Sequence, residues 1–477
     1  MTEQKLNTGS HDLPVSDALV AFMKTGWADS ERHDVSAHEV TPHTLRRRLE
    51  LSARFPGLRI VLPAGSFKVR ANDTDYKFRA HSTFSWYTGL GAADVIPESV
   101  LVLEPTAAGH DAFLYIHPRS PKDTEEFFRD RRHGEFWVGR RLTSGETEKR
   151  YGVTVKHVSE VYSSLSDGTP TIAIRGEDPL VDAALPAADD RDIELLAFTA
   201  EARLIKDEFE IREMRKACDA TMRGFDDMVR SFPAAVKEPN GERVIESAFY
   251  GRARLEGNEP GYDSIIASGA HACVLHWMKN DGPVRNGDLI LIDAGIETDA
   301  HYTADVTRTL PVNGAFTEAQ RRIYMIVYEA QEAAFAVIKP GVNYREIYWA
   351  AQRVLAKGLE DLGFLHITAE ESLKPEVGLH RRWTVHATGH MLGIDVHDCA
   401  KARNTEYLDG PLQAGMVLTV EPGLYFNEDD LLIPEEYRGI GVRIEDDLIV
   451  TENGYENLTA SLPRHPDEIE RWMKTLL

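Results

Sequence analysis

Cysteine is scarce in this chain, and basic residues are outnumbered. Three cysteines, Cys218, Cys273 and Cys399, stand far apart among 477 residues. An odd, scattered set makes no disulfide framework and shows no metal-type spacing, so a reducing compartment is expected. Long apolar runs are missing too: no stretch approaches the roughly 20 residues that span a bilayer. The opening Met1-Thr2-Glu3-Gln4-Lys5 leads into no apolar core, so no secretory leader is expected and the cytoplasm is the default location. Lysine and arginine total 54 against 77 aspartates and glutamates, a formal net charge of −23. No basic stripe interrupts that field, which repels nucleic-acid backbones and anionic membranes alike. Neither nucleic acid nor membrane is an expected partner. Low-complexity tracts and short-period repeats are also lacking. The length exceeds what one core usually fills, so two domains are expected.

What the chain does contain is an α/β pattern followed by an α+β one. Residues 1–40 mix His, Asp, Ser and Glu around one amphipathic piece at 17–24. They are read as an N-terminal extension, ordered against a neighbour and without chemistry of its own. Thr41-Pro42 opens a helix, proline being well suited to its first turn. From 41 to 195, short apolar strands at 59–63, 99–103, 112–116 and 171–174 alternate with helices at 124–132 and 144–151. That alternation marks an α/β domain. Apolar residues at helical spacing run from Ile193 to Phe232, and the boundary is placed near 190–205. The second domain, 200–477, interleaves helices at 317–338 and 344–362 with strands at 264–268, 288–293, 416–421 and 439–450.

Carboxylates and histidines of this second half carry the chemistry. Asp293 ends the apolar run LILID, and Asp305 follows across a polar turn, so the two can face each other across a hairpin. Aspartate is depleted from strands, and two in such surroundings need a metal or other cation to offset their desolvation. Taken singly, each is more simply a turn cap. Glu421 closes VLTVE, and Pro422 holds it extended. In GIGVRIEDDLIV (439–450) the period of two puts Gly441, Arg443 and Glu445 on one face. A solvated strand face gives the same pattern. The run VHATGHMLGIDVHD (385–398) sets His386, His390 and His397 around Gly389 and Gly393. His386 and His390 stand four apart as in a zinc-binding helix, but the glutamate of H-E-x-x-H is missing and Gly389 weakens a helix. Carboxylate oxygens with an imidazole suit two ions of manganese, cobalt, zinc or iron(II) better than calcium or magnesium.

These blocks resemble those of the creatinase/methionine-aminopeptidase superfamily. The matching segments are YDSIIASG (262–269), CVLHW (273–277), LIDAG (291–295), ADVTRTLPVN (304–313), the histidine run, MVLTVEPGLY (416–425), YRGIGVRIED (437–446) and ENLTAS (456–461). Within the superfamily the chain resembles the Xaa-Pro aminopeptidases (aminopeptidase P). Residues 41–195 resemble that family's N-terminal domain at FSWYTG (84–89) and FWVGRR (136–141). The resemblance implies an α+β pita-bread catalytic domain preceded by an α/β N-terminal domain of creatinase/prolidase type. It implies two divalent metal ions, Mn2+ foremost with Co2+, Zn2+ or Fe2+ as alternatives, held by Asp293, Asp305, His390, Glu421 and Glu445. Glu421 would also be the general base, with His276, His386 and His397 binding substrate and assisting catalysis. Tyr425 and Arg443 would support the site from its edge. Asp73 and Trp137 would reach the active site of a neighbouring subunit in a homodimer or homotetramer. The implied reaction releases the N-terminal residue from peptides with proline second. A prolidase, which cleaves only Xaa-Pro dipeptides, shares all five ligands and is the alternative; RGIGVRIED and ENLTAS favour the aminopeptidase. A non-catalytic peptide-binding relative is disfavoured because every ligand position is filled.

Overall fold

The computed structural model describes residues 14–477 and divides the chain into two compact units between Thr199 and Ala200. Residues 1–13 of the expected extension lie outside the described part.

In the first unit, five strands form a sheet in the order Thr154–His157, Gly109–Ile116, Val100–Thr106, Arg59–Pro63, Thr171–Ala173. The inner three are antiparallel and the two edge strands pair parallel. Val61, Val100, Val102 and Ala173 pack against Val161, Leu165 and Val181 from the short helices on one face. The helix expected at 124–132 shrinks to Glu126–Arg129. Asp130 ends it: its carboxylate accepts from the Arg132 and His133 amides, and that local turn competes with another helical turn. A short helix, Asp17–Met23, is capped by Ser16. Beyond it Trp27 meets the Phe127 ring edge-on, Arg119 reaches Ser30, and the Arg32 amide donates to Glu146 at 2.8 Å. The described part thus packs on its own unit, where polar partners already wait.

The helical stretch expected from 193 to 232 is two helices, Asp190–Glu201 and Glu208–Ala235. Asp207 starts the second: its carboxylate accepts from the Phe209 and Glu210 amides, and the Glu210 side chain accepts from the Asp207 amide. Such a reciprocal cap is a strong start signal.

In the second unit, Leu289–Ala294 lies between Ile265–Ser268 and Val306–Pro311, all antiparallel. A further sheet joins Val417–Val420, Asp446–Thr451 and Gly454–Asn457. Alternation decides the site. Ile290, Ile292, Ala294, Val306 and Leu310 enter a core shared with Phe225, Phe249, Ile323 and Val327 of the long helices. Leu291 faces the other way, against Ile265, Ala267 and Tyr425, and Asp293 follows it on that face. Each buried Ile or Leu contributes about 1.5–3 kcal/mol. A one-residue slip would exchange those side chains for Asp293, so the register is firmly held.

The strand expected at 439–450 is not continuous. Ile440–Arg443 pairs with Gly423–Phe426, whereas Asp446–Thr451 pairs with Val417–Val420. Between them the Glu445 amide donates to the Thr307 carbonyl at 3.0 Å, drawing the chain from one ladder to the next. Among the described residues no helix is long and apolar enough to cross a membrane.

Candidate metal centre

Asp293 and Asp305 stand at the same end of one hairpin, beside the last register pair Ala294–Val306. The Tyr262 hydroxyl lies 2.7 Å from Asp293 Oδ1 and 2.5 Å from Asp305 Oδ1, tying the two together. Arg443 donates to Asp293 Oδ2 at 2.6 Å. Thr307, further along the same face, donates to Glu445 Oε2 at 2.7 Å.

The histidine run is not a helix: its first half runs beside a strand and it turns from Gly393 onward. A Cβ on Gly389 would lie 2.1 Å from the Thr419 carbonyl oxygen, so only glycine lets this segment lie along the strand Val417–Val420. There the Glu421 amide donates to Thr388 O at 2.7 Å and the Thr419 amide to His390 O at 2.9 Å. Those bonds bring His390 and Glu421 side by side. His390 Nδ1 lies 3.1 Å from the Met391 carbonyl and holds its proton there. That leaves Nε2 facing Asp305 Oδ2 at 3.3 Å and Glu421 Oε1 at 3.8 Å. Metal-ligating histidines are oriented in this way.

A cavity of about 490 Å³ is lined by Asp293, Asp305, His390, Glu421 and Glu445, together with His276, His386, His397, Arg443 and Tyr262. Tyr425 supports its wall. Its hydroxyl accepts from Arg443 Nη1 at 3.0 Å and lies 2.8 Å from His386 Nε2, while His386 Nδ1 faces Ala387 O at 2.6 Å. The rings of His390 and His397 meet edge to face at 4.5 Å. A second cavity of about 510 Å³ shares His386, Ala387 and Gly389 but has no carboxylate in its lining.

Among the described residues lining the acidic cavity, five carboxylates, those of Asp293, Asp305, Glu421, Glu445 and the exposed Asp263, face the single guanidinium of Arg443. The imbalance shows in their protonation. Burial pushes Glu421 up to about 7, with His390 and Arg443 opposing it. Burial and then the charges of Asp305, Glu421 and Asp293 drive Glu445 well above the carboxylate range. Asp293 is raised by burial although Arg443 pulls the other way. Burial disfavours the charged form of His390, yet the hydrogen bond and charge of Asp305 lift it to about 9. By contrast, burial and Arg443 hold His386 down to about 4, and burial lowers His397. Such a cage carries its acids by taking up protons or cations. Asp305, His390 and Glu445 each offer a donor atom, all within 4.8 Å of one another. The donor set fits divalent ions of the manganese-to-zinc series.

Sequence reasoning misses Tyr262 and Thr307. Both are neutral residues inside quoted blocks, and only their contacts reveal them. Asp73 and Trp137 lie in the first unit, brought together through Arg131. Its guanidinium is 3.1 Å from Asp73 Oδ2 and stands 5.0 Å over the Trp137 ring.

Residues 212–452 match the family model described as Metallopeptidase family M24, and residues 44–170 that of the Aminopeptidase P, N-terminal domain. The chain is 53% identical over 465 residues to Xaa-Pro aminopeptidase 1 of Streptomyces coelicolor, covering 97% of this chain and 93% of the relative. It is 34% identical over 448 residues to Xaa-Pro aminopeptidase of Escherichia coli, covering 90% and 96%. Among solved structures, E. coli aminopeptidase P with the inhibitor Pro-Leu superposes with a TM-score of 0.79 at 32% identity, covering 92% of this chain and 99% of that one. Zn-substituted E. coli aminopeptidase P in complex with product gives 0.80 at 33%, covering 92% and 100%.

Proposed function

The chain belongs to metallopeptidase family M24, and from that premise we propose how its acid-rich cavity works. It is a metallo-aminopeptidase that releases the N-terminal residue from peptides with proline second, built as a pita-bread domain behind an aminopeptidase P N-terminal domain. Divalent metal follows from the family. We infer two ions, Mn2+ foremost, held by Asp293, Asp305, His390, Glu421 and Glu445. One observation carries this reading: three buried carboxylates, Asp293, Asp305 and Glu445, and the part-buried Glu421 share a cavity with one guanidinium.

Held by these five residues, divalent ions would supply Lewis acidity and favour ionised water near neutral pH. Glu421 would take the proton of the attacking water and return it to the leaving nitrogen, so the residue ends as it began. His397 and His386 are neutral imidazoles, each with one N–H to donate to the scissile carbonyl oxygen as it gains charge. His386 releases Ala387 O to do so. Arg443 holds both Asp293 and Tyr425, which keeps the acid edge and the wall in one geometry. Proline as leaving group is a tertiary amide and offers no N–H. Recognition therefore falls to shape, for which His276, Ile265, Leu275 and Met278 supply ring and apolar surface in the cavity's lining.

We also infer a homodimer or homotetramer in which Asp73 and Trp137 reach a neighbouring subunit. Exposed Tyr76, Phe136, Trp137 and Val138 in the first unit support that assembly. Three unpaired cysteines support a cytoplasmic location.

The test is cleavage of Arg-Pro-Pro by metal-stripped protein, before and after adding Mn2+, Co2+ or Zn2+. Activity should return with Mn2+ and stay at least about tenfold above that on Gly-Pro. A protein that takes up no metal, or cleaves only the dipeptide, overturns the reading.

A further inference from the structure

The first unit holds a second group of metal-type donors. His117 follows the strand Gly109–Ile116; Asp130 and His133 follow the helix Glu126–Arg129. One donor atom from each of His117, Asp130 and His133 lies within 4.8 Å of the others. Glu126, from the helix itself, touches His117 Nε2 and accepts from Ser120 Oγ at 2.8 Å. His133 Nδ1 is 3.1 Å from Asp130 Oδ2. The other ring nitrogen of His133, Nε2, is buried and has no hydrogen-bond partner. A buried imidazole nitrogen left bare is costly and calls for an explanation. Burial and the charge of His117 keep His133 neutral, so that nitrogen has a lone pair to give. Asp130 and Glu126 stay ionised, because their hydrogen bonds outweigh their own desolvation.

We propose that His117, Asp130 and His133, with Glu126 as a fourth donor, form a structural metal site that takes a borderline cation such as Zn2+. Two imidazoles and two carboxylates are a tetrahedral donor set for that ion. The rings of His117 and His133 stack with centroids 4.0 Å apart, so loading turns one imidazole out of the stack. It also displaces the proton between His117 and Glu126. The position gives the ion work to do. His117 belongs to the end of the sheet, whereas Asp130 and His133 flank Arg131 and Arg132. Those arginines reach Asp73 and Asp75, and Trp137 follows a few residues on, its indole N–H donating to Phe128 O at 2.7 Å. A cation between the two places fastens the segment that presents Trp137 to the sheet. The site stands on its own donors and does not depend on how the acidic cavity is read.

The experiment counts Zn2+ per chain by mass spectrometry in full-length protein that has been metal-stripped, reloaded and desalted. An Asp293→Asn/Glu445→Gln variant disables the acidic cavity. It should retain one tightly held Zn2+, and adding His117→Ala/His133→Ala should remove it. Reloaded with Co2+, the cavity variant should show the visible absorption of a tetrahedral site, and that absorption should vanish with the histidines. If the double alanine fails to fold, His133→Gln in the same background carries the comparison. The proposal is overturned if the cavity variant holds no Zn2+, or holds the same amount with and without the histidines. A histidine effect on pH-dependent stability with unchanged zinc content overturns it as well, since the cluster then holds protons only. An acidic cavity without metal would show differently: the wild type would bind a single Zn2+ that the cavity substitutions leave in place.

Discussion

His397 and Asp398 are neighbours in the chain and belong to two charge clusters of opposite kind. His397 lines the acidic cavity. Asp398, 1% exposed, sits between Lys206 Nζ at 2.7 Å and Arg203 Nε at 3.0 Å, and Arg203 also reaches Asp395 at 3.4 Å. Here cations match acids, and the charges of Lys206 and Arg203 outweigh burial and lower the Asp398 carboxyl. In the cavity the same burial meets an excess of acid, and Glu421, Glu445 and Asp293 are raised. Burial alone therefore does not separate a structural charge from a functional one. Balance does: a paired cluster stabilises the fold, and an unpaired one waits for ions from outside.

The contrast can be broken by substitution. Glu421→Gln should cut turnover of Arg-Pro-Pro by about 10²–10⁴-fold. In metal-stripped protein the same change should leave the urea midpoint equal or higher, because it removes one of several repelling acids. A clear loss of stability there would show that the cavity is balanced after all. Asp398→Ala works in the opposite sense: it strands Lys206 and should cost about 3–5 kcal/mol in urea unfolding. Equal losses from the two substitutions would erase the distinction.

Tyr262→Phe sharpens the comparison at smaller scale. It deletes the hydroxyl shared by Asp293 and Asp305 and should weaken Mn2+ binding by about 10–100-fold in a titration of stripped protein. The smallest effect belongs to a balanced pair nearer the surface. Arg382 hydrogen-bonds Asp430 and holds its carboxyl at about 2, below its ordinary 3.8. A depressed carboxyl stabilises fully above its unfolded value, and that contribution disappears as pH falls through the folded one. Arg382 is half exposed, so the effect is modest. Asp430→Asn should flatten stability against pH between about 4 and 2. An unchanged slope would remove Asp430 from the balanced class.

Much of the site can be read from the chain because its acids are out of place. Asp293 and Glu421 each close an apolar run where acids are rare, and Gly389 weakens the helix that a four-residue histidine spacing suggests. Tyr262 carries no such mark. The break in 439–450 is equally silent: alternation continues through Ile444 and Glu445, and a distant carbonyl, Thr307 O, pulls the chain aside. Asp130 shortens its helix by the same kind of local competition, which composition does not weigh.

Sequence alone determines the residue types, the period of two that puts Asp293 opposite the core, and the blocks that identify the family. These are local properties, written in neighbours along the chain. Only the tertiary structure decides that Arg443 meets Asp293 across 150 residues, that one tyrosine serves two acids, and that His397 and Asp398 part company. Charge balance is a property of volumes, and a volume exists only once distant segments have closed around it.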